Sequence, residues 1–128
     1  MDTATETIAP ATHLRAAAGI LRERSSAATP GLWQHMCLGS EGCLVLRRHG
    51  TIRERGRGRV ARFGHKDWQA DHADAEYVAT MAPPVAAALA EWLDAAAQAW
   101  DEGMEWPEAL AVAGAVNAAS ATGSRGEF

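Results

Sequence analysis

His35, Cys37, Cys43 and His49 follow one another as His-x-Cys-x5-Cys-x5-His around a Gly39-Ser40-Glu41-Gly42 segment. Thiolates and imidazoles are the donors of tetrahedral zinc sites, and an ion held there would staple a small sheet. On an extended strand His35 and Cys37 fall on one face. The spacing nevertheless departs from the usual pairing of ligands as C-x2-4-C and H-x3-5-H. The favoured reading therefore has no metal: Cys37 and Cys43 are small buried hydrophobes facing each other across a hairpin, with the histidines at its rim. Cross-strand cysteines also admit a disulfide, but in a reducing compartment thiols are the expected state. No Cys-His-Asn order and no neighbouring acid or base points to a nucleophilic thiol.

A second group, His65, Asp67, Asp71, His72, Asp74 and Glu76, offers carboxylates and imidazoles for a divalent metal or for acid–base work. Acids at a helix start are already explained by capping and by the helix dipole, and His-x6-His is not a recognised ligand spacing. With no phosphate loop, paired carboxylates or nucleophile–base pair, the chain reads as a non-enzyme without a required cofactor.

The strongest charge signal is basic. Eight of the twelve Lys and Arg residues lie between Arg47 and Lys66: Arg47, Arg48, Arg53, Arg55, Arg57, Arg59, Arg62 and Lys66. From Asp67 to Glu108 there are ten acids and no Lys or Arg, within a chain of formal net charge -4. Arginine suits bidentate contact with carboxylate or phosphate, so this stretch is the candidate partner-binding surface. A basic β-ribbon can enter a nucleic-acid groove, yet only Phe63 and Trp68 are near enough to stack on bases, and the overall acidity runs against a nucleic-acid footprint. An acidic protein partner is thus expected ahead of nucleic acid. The same arginines also fit a solvated sheet edge, or pairing with the chain's own acidic helices.

The elements that must position these residues can be read from periodicity and turn chemistry. A first helix is expected from an N-cap at Thr12 to about Arg24, closed by Thr29-Pro30-Gly31. Leu32–Leu38 and Cys43–Arg48 read as a hairpin, with further strands at Thr51–Arg55 and Arg59–Phe63. A helix capped by Asp71 runs to Met81, with Tyr77, Val78 and Met81 as its buried stripe. Pro83-Pro84 opens the clearest helix, which carries Val85, Ala88, Leu89, Trp92, Leu93, Ala96 and Trp100 on one face and stops at Gly103. A last helix follows Trp106-Pro107, with Leu110, Ala113 and Val116 inward and Trp106 stapled onto Leu110. This order predicts an α+β fold: a small antiparallel sheet of three to four strands packed against about four helices.

The length of 128 residues fits one core, expected over residues 12–120, with a loose arm at 1–11 and a tail at 121–128 whose Gly-Ser and Glu-Phe pairs match common cloning sites. Hydrophobic residues reach 48%, but alanine supplies much of this, so the five Trp carry a large share of the core. Trp92 and Trp100 share a face and read first as core, then as a homodimer interface. No apolar run spans a membrane and no secretory leader is visible, so a cytoplasmic location is expected.

Ala28-Thr29-Pro30-Gly31-Leu32-Trp33 is similar to the Ala-Thr-Pro-Gly-Pro-Trp signature of small orphan proteins from actinobacteria and their phages. Asp74-Ala75-Glu76-Tyr77-Val78-Ala79, and the Ala109–Ala113 run, resemble further segments of the same proteins. Position 32 departs from the signature, being Leu where Pro is usual. The resemblance covers about half of the chain, namely its helical frame. It implies an accessory role without an established activity, and it places variability in the strands that carry the cysteines and arginines. The sequence thus predicts a cytoplasmic, non-enzymatic interaction protein. A nucleic-acid-binding protein is the first alternative and a zinc-stabilised domain the second.

Overall fold

The computed structural model describes residues 8–37, 42–48, 59–64 and 68–122. Their order is α1 (Pro10–Ala27), β1 (Trp33–Cys37), β2 (Cys43–Arg47), β3 (Arg59–Phe63), α2 (Trp68–Thr80), α3 (Pro83–Asp101) and α4 (Pro107–Thr122). The expected α+β class is what forms, with four helices and one three-stranded antiparallel sheet of order β1-β2-β3 among the described residues. The expected strand at Thr51–Arg55 lies outside the described residues. The described residues gather into two compact units, one within Met1–Arg24 and Ala87–Phe128 and one within Ser25–Ala86.

In the first unit the helices meet through small side chains. Ala11, Leu14, Ala17 and Ala18 of α1 cluster with Ala90, Leu93, Ala96 and Ala97 of α3 and with Ala109 and Ala113 of α4. Alanine at such contacts lets helix axes approach closely, so the large rings need not be central. Trp92 and Trp100 are only partly buried and pack against the rim of this cluster. The face of α3 is therefore centred on Ala90, Leu93 and Ala97, and Ala88, expected inward, is exposed. Trp106 is also exposed, and its ring lies 6.4 Å from that of Trp92.

Helix ends follow local chemistry. α1 begins at Pro10 rather than after Thr12, because proline is compatible with a first helical position, and the His13 amide closes the first turn onto the Ala9 carbonyl at 3.0 Å. Gly103, at φ 93°, ends α3 as expected. The Gly103 amide donates to the Trp100 carbonyl and that of Met104 to Ala99, the paired bonds of a Schellman motif. Trp106 accepts from the Leu110 amide at 3.2 Å and so caps α4, ahead of Pro107.

In the second unit β2 is central, pairing Trp33↔Arg47 through Cys37↔Cys43 with β1, and Cys43↔Phe63 through Leu46↔Arg59 with β3. A bulge at Val45/Leu46 shifts the second ladder. α2 covers the face that carries Cys43 and Val45, and its Ala75 is fully buried against them, with Val78 and Ala79 alongside. This corrects the stripe expected for α2. Tyr77 is 67% exposed and Met81 38%, because a short sheet face accepts a small-residue stripe more closely than one with a phenol ring. Asp71 also lies inside the first turn of a helix that starts at Trp68, not at its cap.

Candidate functional site

The site forms where the β1–β2 ladder ends beneath α2. Cys37 and Cys43 are the terminal cross-strand pair of that ladder, and they are joined as a disulfide. The expectation of two thiols is thereby corrected: register alone brings the two sulfurs together, because directly opposed residues on one face have closely spaced Cβ atoms. Gly42, at φ 78°, takes the backbone conformation that lets the chain enter β2 immediately before Cys43.

His72 of α2 completes the group. Its Nδ1 lies 3.2 Å from the Cys37 sulfur. His35, two residues before Cys37 on the same face of β1, stands edge-to-face with His72 at a centroid distance of 5.2 Å. Glu76, one turn after His72, brings a carboxylate to the same place. One donor atom each from Cys37, Cys43 and His72 lies within 4.8 Å of the others, and the same holds for His35, His72 and Glu76. Cys43 is fully buried, Cys37, His35 and His72 are half-buried, and Glu76 is exposed.

Of the four residues that the sequence grouped around the hairpin, the structure joins Cys37 to Cys43, while His35 is linked to that pair through His72. His49 lies outside the described residues. The sequence sets His72 and Glu76 apart in the acidic group after Gly64; what spacing does not show is that His72, on a helix 35 residues after Cys37, meets the cysteine pair. Its signal was the face it shares with Ala75 and Ala79 at helical spacing.

A cleft of about 500 Å³ opens beside this group, lined by Trp33, Gln34, His35, Arg48, Glu76, Ala79 and Thr80. Trp33, Gln34 and His35 are consecutive, so their side chains alternate between the two faces of the sheet. A cleft that touches all three runs along the outer edge of β1. Trp33 is fixed there by its indole N–H, which donates to the Thr29 carbonyl at 2.9 Å. The Arg48 amide donates to the Leu32 carbonyl at 2.8 Å and extends the ladder by one step, which places Arg48 at the cleft.

The arginines described do not share one surface. Arg47 follows Cys43 and Val45 on the α2 side by strand alternation, whereas Arg59 and Arg62 oppose Leu46 and Leu44 on the other face. Arg53, Arg55, Arg57 and Lys66 lie outside the described residues. Of the acids after Gly64, Asp71 has a buried Oδ2 with no partner among the described residues, and Glu76 is the one that reaches the cleft. No described helix is long and apolar enough to cross a membrane. No family model matches the chain, and neither a curated protein nor a solved structure does.

Proposed function

We propose that this is a non-enzymatic protein-interaction module of the cytoplasm, of actinobacterial or actinophage origin, which holds an extended segment of a partner protein along β1. The observation that carries the reading is the cleft on the outer edge of that strand. An edge strand presents unpaired backbone donors and acceptors, and a peptide added there gains main-chain hydrogen bonds while adjacent pockets read its side chains. Trp33 offers an aromatic wall, and Arg48 offers a fork suited to a carboxylate. Glu76 lines the same cleft and repels a phosphate backbone, which favours a protein segment of mixed charge with an acidic residue near Arg48. If the source is a phage, the partner is a host protein whose activity is modulated.

The test is capture from host lysate with the full chain, with Arg48→Glu, and with Arg59→Glu, a change on the opposite sheet face. Retention of one protein by the wild type and by Arg59→Glu, and its loss from Arg48→Glu, is the expected result. Retained material that is nuclease-sensitive, or equal retention by all three, removes the reading in favour of a nucleic-acid partner or of none at this edge.

A further inference from the structure

The Cys37–Cys43 bond lies against two imidazoles that a purely structural crosslink does not need. His72 directs Nδ1 at the Cys37 sulfur from 3.2 Å, and His35 packs on His72 from the strand that carries Cys37. We propose that reduction of this bond converts the corner into a zinc site, with Cys37 Sγ, Cys43 Sγ and His72 Nδ1, one mutually close donor set, as three ligands, and with the imidazole of His35, which packs on His72 outside that set, turning in as the fourth. The oxidised and metal-bound states then exclude each other, because a disulfide sulfur is not a thiolate.

The electron balance is that of thiol–disulfide exchange. A dithiol closes its own disulfide and passes two electrons and two protons to the sulfurs of Cys37 and Cys43. Zinc binding then displaces both thiol protons, since thiolates are the ligands.

The geometry fits this role. Zinc–sulfur and zinc–nitrogen bonds of about 2.3 and 2.0 Å at a tetrahedral angle set a sulfur–nitrogen edge of about 3.5 Å, close to the distance His72 already keeps from Cys37. Two thiolates and two imidazoles suit zinc better than calcium or magnesium, which prefer oxygen. The donors come from two strands and a helix, so an ion there would clamp α2 onto the sheet. The β1 cleft opens beside this corner, with His35 in its lining. His35, His72 and Glu76 form a competing set of nitrogen and oxygen donors that needs no reduction. The two sets differ in whether sulfur binds the metal.

Cobalt(II) titration of the full chain, oxidised and phosphine-reduced, separates them. In the reduced protein one cobalt per chain is expected, with a tetrahedral ligand-field spectrum and a sulfur-to-metal charge-transfer band, both quenched by added zinc. The oxidised protein has no such band and binds at least a hundredfold more weakly. His72→Gln weakens binding by more than the roughly 10–100-fold that loss of an outer-shell partner costs, and His35→Ala also weakens it. His49→Ala and Glu76→Gln leave it unchanged. Uptake without the sulfur band, uptake equal in the two redox states, or no stoichiometric uptake on reduction overturns the proposal. The oxidised and reduced wild type are compared directly, so the result does not depend on whether any variant folds.

Discussion

His72 Nδ1 and Cys37 Sγ lie 3.2 Å apart although 35 residues separate them in the chain. This contact ties α2 to the end of the β1–β2 ladder and gives the cysteine pair a neighbour that can hold a proton or a metal. Its immediate consequences concern stability.

The disulfide closes a short loop, with a sequence separation of 6. Loop-closure entropy for that length amounts to about 2 kcal/mol. Phosphine reduction in the presence of chelator is therefore expected to lower the urea midpoint by that equivalent, with little change in slope. Zinc added to the reduced protein should restore stability progressively with its free concentration, as for any ligand that binds only the folded state. A midpoint indifferent to reduction would show that the sheet does not depend on this crosslink.

Trp33 links the Thr29-Pro30-Gly31 turn to β1 through its indole N–H. Trp33→Phe keeps most of the ring but removes the donor, leaving the half-buried Thr29 carbonyl without it. A loss of about 1 kcal/mol is expected in denaturant unfolding. The same variant should also weaken partner capture at the cleft.

The observed burial pattern separates two residues that sequence periodicity placed together in the core. Leu93 is fully buried, and Leu93→Ala is expected to cost about 2–5 kcal/mol. Tyr77 is mostly exposed, and Tyr77→Ala should stay within about 0.5 kcal/mol of wild type. A large loss from the tyrosine variant, measured by thermal or urea unfolding, would return the phenol ring to the buried stripe of α2.

The contrast between these two helices shows what the sequence made legible. α3 is long and apolar, its ends are marked by Pro83 and Gly103, and its boundaries follow directly. The β1–β2 hairpin is equally readable, because a glycine-bracketed loop sits between two short apolar runs, and Cys37 opposite Cys43 follows from that pairing. α2 is harder. Its buried stripe is Ala75 with Val78 and Ala79, and small side chains give a weak periodic signal beside Tyr77 and Met81. Taking the large residues as the core turns the helix the wrong way and hides His72 from the cysteines. The same preference for large residues places Trp92 and Trp100 at the centre of a unit whose closest packing is between alanines. Long-range contacts such as His72 with Cys37 have no spacing rule, so they become visible only once the stripe that positions them is known.

Native mass spectrometry of the full chain, oxidised and phosphine-reduced in equimolar zinc, is the sharpest check on a redox-gated metal site. The oxidised chain is expected to be metal-free and two hydrogens lighter than the free dithiol. The reduced chain is expected to carry one zinc and to have lost the two thiol protons. Zinc on both forms, or on neither, would contradict a metal site gated by the Cys37–Cys43 bond.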